Sequence, residues 1–224
     1  MRRLWVVLVR FGFRLLYNEL AFTYDIVSRA VSLGAWRCWQ RAALRHLKAE
    51  PGALLLELGH GTGDLQIDLN ALGYCVVGHD LSGSMSRIAR GKLRRMNMPT
   101  RLTRGRAECL PYPSGIFAAV ISTFPTSYIL EPETLQEIHR VLGPAGPLLI
   151  VPNGAFTTRG SAEIGLEWLY RVTGQRNDTG FDIENYFSKY GFDARVRQEP
   201  CPRSMATVIV AQKKSLWHLD KAML

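Results

Sequence analysis

Leu54-Leu55-Leu56-Glu57-Leu58-Gly59-His60-Gly61-Thr62-Gly63-Asp64 is an apolar run that ends in three alternating glycines. Ala53–Leu58 reads as a buried strand, because the run is short, almost wholly apolar and bounded by glycine. A helix is expected over Thr62–Leu72. Glycine lets the backbone turn sharply between the two and approach a ligand closely. In a doubly wound sheet such a loop sits at the carboxyl end of the first strand, where ligands bind. Dinucleotide-binding chains share this geometry, but their fingerprint is GxGxxG. Here the spacing is GxGxG, and Asp64 stands where the third glycine of that fingerprint would be. Glu57 precedes Gly59 by two positions. A carboxylate there repels a pyrophosphate and suits a cationic ligand, so an NAD-dependent oxidoreductase is the weaker reading of this loop.

Working outward, Tyr74–His79 reads as a second strand that delivers Asp80. An acid at the end of this strand can hydrogen-bond both hydroxyls of a ribose; its plainer role is to cap a turn or helix. Helices are expected over Ser82–Met96, Pro132–Leu142 and Asp182–Tyr190. Strands are expected over Thr100–Thr103, Ile116–Thr123, Leu148–Val151, Phe192–Gln198 and Ala206–Gln212. Strands separated by helices predict an α/β fold: a Rossmann-like, doubly wound, mostly parallel seven-stranded sheet. The tight Pro200–Arg203 connection is too short for a parallel crossover, so the last strands should pair antiparallel. Residues 152–180 are less regular, with a helix near 161–173. Residues 1–50 read as helices over about 3–16, 19–33 and 35–48, which makes them an N-terminal helical cap or lid. The main domain is then 51–214 and the tail 215–224.

The chain has 224 residues, 47% hydrophobic and 21% charged, as expected of one globular domain. Its net charge is +9, and residues 1–50 hold nine basic against three acidic side chains, so most of the net excess lies before the glycine loop. Leu4–Val9, after Arg2 and Arg3, is too short an apolar run for a signal peptide or a membrane span. Cys38, Cys75, Cys109 and Cys201 show no CxxC spacing, which predicts neither a zinc site nor a disulfide framework. Reduced thiols in a cytoplasmic protein are expected, with no bound metal.

Four ordered segments carry a family resemblance: Leu54–Leu65 (LLLELGHGTGDL), Val76–Met85 (VVGHDLSGSM), Gly105–Thr123 (GRAECLPYPSGIFAAVIST) and Leu135–Val151 (LQEIHRVLGPAGPLLIV). Residues 54–151 resemble the core of class I S-adenosylmethionine (SAM)-dependent methyltransferases. Within these they are most similar to the ubiquinone and menaquinone biosynthesis group (methyltransferase type 11). The resemblance implies a SAM-dependent methyltransferase with SAM as cofactor. Glu57, Gly59, Gly61 and Gly63 would cradle its amino-acid end, Asp80 its ribose and Leu81 its adenine. Ala107 and Glu108 would meet the adenine edge, and Thr123 the methionine moiety. Tyr24-Asp25 is similar to the Tyr-Asp pair of the family's N-terminal helices, so Tyr24 would help close the pocket. Two departures stand out: Ala118 replaces the family's usual Asp after Phe117, and Gly143-Pro144-Ala145-Gly146 lacks the usual Lys and Gly-Gly.

Methyl transfer from a sulfonium is an in-line displacement, so the protein mainly aligns the reactants and excludes water. A catalytic base is therefore not assigned. Acceptor-side candidates are Tyr17, Tyr24, Tyr128, Asn153 and Trp168, of which Tyr24, Tyr128 and Asn153 are the catalytic candidates; packing is an equal reading for each. His60 and His79 read as cofactor-shell or packing residues, and His139 as part of a solvated helix face. A catalytically silent SAM-binding protein also fits the motifs. Nucleic acid is disfavoured as a partner: Ser122-Thr123-Phe124-Pro125 is not the Asn/Asp-Pro-Pro-aromatic run of amino-group nucleic-acid enzymes, and no aromatics interleave the arginines. On a helical wheel Arg3, Arg10 and Arg14 share one stripe beside Leu4, Trp5, Leu8, Val9, Phe11, Leu15 and Leu16. Residues 1–16 could therefore rest on an anionic membrane or pack as a lid. A small, hydrophobic acceptor fits that peripheral contact.

Overall fold

In the computed structural model the described residues are 27–157 and 182–214, except 29 and 31. Among them are the helices α1 (Trp36–Ala42), α2 (Asp64–Ala71), α3 (Gly83–Arg95), α4 (Pro132–Val141) and α5 (Ile183–Ser188). The strands are β1 (Leu54–Leu58), β2 (Cys75–Asp80), β3 (Leu102–Arg104), β4 (Ala119–Thr123), β5 (Pro147–Phe156), β6 (Phe192–Cys201) and β7 (Ser204–Lys213). They form one seven-stranded sheet in the order β3-β2-β1-β4-β5-β7-β6. β1 pairs in parallel with both β2 and β4, which makes it the strand next to the reversal of strand order. Being covered on both faces, it is apolar almost throughout rather than alternating.

Successive β1 side chains point to opposite faces. Leu56 and Leu58 join Phe117, Val120, Ile138, Leu142 and Phe187 in one half of the core. Leu55 joins Leu65, Leu69, Ile121 and Trp39 in the other. The two-residue connection at Pro202-Arg203 turns β6 back onto β7, and β7 pairs antiparallel with β5 as well. That pairing prolongs β5 well past the expected Val151, to Phe156, with a register irregularity between Ile150 and Asn153. Asn153 is thus a strand residue opposite Thr207 and not part of an irregular segment. The fourth strand begins three residues later than expected, because Phe117 makes only an isolated bridge to Leu142.

The helix expected over about 35–48 is also shorter than its pattern suggests. Leu33 and Gly34 both take positive φ, which breaks the chain before α1, and a 3-10 turn over Ala43–His46 ends it. α1 lies against the sheet through Trp39, Ala42 and Ala43. A β-carbon on Gly154 would come within 2.1 Å of the Trp39 indole, so only glycine admits this helix. The Trp39 indole N–H donates to Ser204 Oγ at 3.0 Å. Arg37 and Arg41 both grip Asp68 on α2, at 2.7 and 2.8 Å, while Arg45 and His46 hold Glu199 on β6 at 2.8 Å.

A Cys38–Cys201 disulfide adds a covalent tie, with Cα atoms 5.9 Å apart. This overturns the expectation of four reduced thiols, and with it the thiol argument for a cytoplasmic protein. Spacing could not show it, because the partners are 163 residues apart and meet only when α1 docks on the β6–β7 hairpin. Cys75 and Cys109 remain free. Tyr17, Tyr24, Trp168 and the basic-apolar helix of residues 1–16 lie outside the described residues, as do the helix near 161–173 and the tail 215–224. No described helix is long and apolar enough to cross a membrane.

A disulfide typically adds about 2–4 kcal/mol, and a loop this long places it toward the upper end. Cys38→Ser is expected to lower the melting temperature by several degrees and to abolish its sensitivity to reductant. A wild-type melt unchanged by dithiothreitol would show that the tie contributes nothing.

Candidate functional site

The glycine loop leaves β1 at the middle of the sheet, and β2 brings Asp80 beside it. Asp80 Oδ2 accepts from Gly61 N at 2.9 Å, while Oδ1 accepts from Ser82 N at 2.7 Å. One carboxylate thereby ties the loop after β1 to the turn after β2. Each oxygen keeps a further lone pair that can accept a ligand hydroxyl. Ser82 then caps α3 through Met85 N. The capping and ribose readings of Asp80 are therefore compatible: the side chain builds the turn and still presents acceptors.

Glu57 occupies the floor. It is 1% exposed, and its Oε2 accepts from Gln66 Nε2 on α2 at 2.7 Å. Burial pushes its carboxyl up to about 8, against the opposing hydrogen bond from Gln66; the nearby Asp80 and Asp64 push the same way. The buried Gln66 Oε1 has no partner. An acceptor-rich, cation-poor floor of this kind fits a ligand that carries an ammonium or sulfonium charge. The loop surface fits as well, since a β-carbon on Gly61 would meet nothing within 4 Å.

Gly59 has φ +69°, and a β-carbon there would come within 2.7 Å of the Tyr128 hydroxyl. Tyr128 stands on the 3-10 turn Ser127–Leu130 that follows β4. Its hydroxyl is 3.1 Å from Ser122 Oγ, and Ser122 in turn donates to Leu58 O at 2.8 Å. Because the Ser122 proton is spent on that carbonyl, Tyr128 is the donor to Ser122 and its own oxygen is left in the acceptor role. Thr123, the last residue of β4, is buried. Phe124 follows with φ +52°, a conformation that costs a non-glycine residue roughly 1 kcal/mol or more. This backbone turns its ring onto Trp36 of α1, with centroids 3.8 Å apart and planes 20° from parallel.

Sequence reading missed Ser122, Gln66 and the Trp36–Phe124 stack. Only the stack carried a signal, an aromatic directly after a buried strand. At the far rim Ala107 is buried, Leu81 is exposed, and Glu108 is held by Arg106. Asn153 lies on β5, away from the Asp80 clamp in sequence order and in the sheet.

His60, His79 and His139 are each packed into the fold. His60 Nδ1 lies 2.9 Å from Gly61 O and Nε2 3.3 Å from Ser86 Oγ, and burial lowers its pKa. His79 contacts Thr103 Oγ1 and Arg106 O and is likewise lowered by burial. His139 is not on a solvated face: its ring packs edge-on against Phe192 and its Nε2 is buried. Gly191 packs directly on that ring, where a β-carbon would come within 2.8 Å of Nε2. Among the described residues no group of three or more His, Cys, Asp or Glu could hold a metal ion.

Comparison with known proteins gives the same picture. A family model described as a methyltransferase domain matches residues 55–146. A demethylmenaquinone methyltransferase of Thermus thermophilus is 33% identical over 207 residues, 88% of this chain and 90% of that protein. A ubiquinone/menaquinone biosynthesis C-methyltransferase of Shewanella frigidimarina is 31% identical over 142 residues, 60% of this chain and 56% of its own length. Among solved structures, geranyl diphosphate C-methyltransferase from Streptomyces coelicolor superposes with a TM-score of 0.62 at 12% identity, covering 83% of each chain. That last likeness is one of fold.

The folded chain holds the Glu57 proton up to about pH 8, whereas an ordinary carboxyl releases it near 4.5. Between these values the folded state binds the extra proton, so stability of the ligand-free protein should fall as pH rises. Melting curves from pH 5 to 9 are expected to show wild type losing at least a few degrees relative to Glu57→Gln. A difference between the two proteins that is flat across this window would remove the buried-acid reading.

Proposed function

We propose that this chain, which belongs to the class I SAM-dependent methyltransferases and is an enzyme of the ubiquinone and menaquinone biosynthesis type, methylates a small hydrophobic acceptor, quinone- or prenyl-like. The observation that carries the acceptor class is the Trp36–Phe124 stack directly after Thr123. The two rings cover each other's inner faces, and what they leave exposed after the fourth strand is an apolar aromatic surface that suits a flat, apolar molecule. The names of two relatives, acting on menaquinone and ubiquinone precursors, agree with that choice.

In this reading bound SAM supplies an already activated methyl group. Gly59, Gly61 and Gly63 let the backbone approach its amino-acid end, while Glu57 supplies negative charge from beneath. Asp80 accepts from the ribose hydroxyls. Leu81, Ala107 and Glu108 border the adenine, and Thr123 the methionine moiety. Tyr24 keeps its expected role as a closing residue. Tyr128, locked by Ser122, orients the reacting end from above Gly59. It is the preferred catalytic candidate over Asn153, whose backbone lies in the β5–β7 ladder. The protein's contribution is alignment in a dry pocket.

Calorimetric titration with S-adenosylhomocysteine tests the cofactor site. Micromolar affinity is expected, with no binding of NADH. Asp80→Asn should weaken it by about 10- to 100-fold, the cost of one hydrogen bond to a charged acceptor. Binding at pH 7 should also release a proton from Glu57, seen as a dependence of enthalpy on buffer ionisation that Glu57→Gln abolishes. For the acceptor, Phe124→Ala should raise KM for a demethylated quinone without changing affinity for S-adenosylhomocysteine. Tyr128→Phe should lower kcat instead. Turnover unaffected by Phe124→Ala across hydrophobic acceptors would remove the aromatic-wall assignment.

A further inference from the structure

Residues 81–107 hold eight basic side chains and no acidic one. The small net excess after residue 50 conceals this, because acids elsewhere cancel it. Three of the eight are tied to groups outside α3, while Arg95 donates to Gly91 O within it at 3.1 Å. Lys92 turns inward to Asp64 at 2.8 Å, Arg106 pairs with Glu108, and Arg104 donates to Leu81 O at 3.1 Å. The other five, Arg87, Arg90, Arg94, Arg95 and Arg101, are exposed, and among the described residues none has a carboxylate within ion-pair distance.

Packing decides which way they face. α3 buries Met85, Ala89 and Leu93 against β2 and β3. Arg87, Arg90 and Arg94 follow one another at three- and four-residue spacing, so they form a single outward stripe. Arg95 and Arg101 extend it around the end of the helix, where β3 forms the free edge of the sheet. Met96, 50% exposed, sits at the same end. An ordinary solvated helix mixes both signs of charge. Like charges at this spacing instead cost an isolated helix a few tenths of a kcal/mol per pair, and an anionic surface would relieve that repulsion.

We propose that the outer face of α3, with Arg101, is a docking surface for anionic phospholipid. The helix is 13 residues long, about 20 Å, and presents a convex charged stripe with an apolar thioether at one end. Lipid fits this better than nucleic acid. Residues 81–107 contain no aromatic side chain, so the stacking platform that single strands need is missing, and a convex helix is not the groove that tracks a strand. The inference stands on charge placement and does not depend on the acceptor. Docking here would set the Asp80 turn, from which α3 starts, beside the lipid headgroups.

The test is co-sedimentation of the full chain with phosphatidylcholine vesicles, with and without phosphatidylglycerol. Wild type should bind only the anionic vesicles, and less as salt rises. Each arginine near such a surface is worth about 1 kcal/mol, so the triple variant Arg87→Gln, Arg90→Gln, Arg94→Gln should lose roughly 100-fold in partitioning. Its affinity for S-adenosylhomocysteine should be unchanged, which shows that it folds. Arg195→Gln with Arg197→Gln, on β6 at the opposite sheet edge, should leave partitioning as it was. The proposal is overturned if the triple variant partitions like wild type, or if wild type binds neutral and anionic vesicles alike. It is equally overturned if wild type prefers a single-stranded RNA to the vesicles and the triple variant loses that preference.

Discussion

The site depends on one carboxylate accepting from two backbone amides. Asp80 ties Gly61 to Ser82 and so fixes the loop after β1 against the turn after β2. Parallel neighbours in this sheet are not joined by a turn at their ends, because each is followed by its own helix. Without such a clamp the two turns would be joined by the bond from Gly59 N to His79 O at 2.8 Å and by the packing of α2 and α3. With it, the glycine loop, the acid and the start of α3 form one rigid corner. Glu57 and Gln66 lie under that corner, where the same burial that stiffens the loop raises the carboxyl.

Much of this was legible in the chain because it is local. The continuous apolar run of β1, the alternating glycines and the acid at the end of β2 are short-range patterns with short-range causes. The hairpin of the last two strands was readable from the length of its connection. What escaped the sequence depends on distant partners. β5 extends to Phe156 because β7 returns beside it, and nothing in residues 152–156 announces that pairing. His139 looked solvated because its helical neighbours are polar, whereas Phe192 and Gly191 arrive from the far end of the chain to cover it. Phe124 followed a recognisable strand, yet the positive φ that aims its ring could not be inferred from its identity. The cysteine pair is the extreme case, since neither position has any local feature that marks a bridge.

The cap and the sheet meet through contacts of different character. Trp39 over Gly154 is a matter of shape, and the arginine contacts to Asp68 and Glu199 are a matter of charge. Together they hold α1 on the sheet so that Trp36 stacks on Phe124. In the proposed function the first strand and its loop would supply the cofactor's cradle, and the helix before them part of the acceptor's.

The bridge between Cys38 and Cys201 also imposes an order on how the molecule is made. Cys38 leaves the ribosome early, but its partner follows only after 162 further residues, and every site residue assigned here from Glu57 to Thr123 lies between them. The bridge can therefore close only after all of these residues have been synthesised. Until it does, the helix bearing Trp36 is held to the sheet by its noncovalent contacts alone.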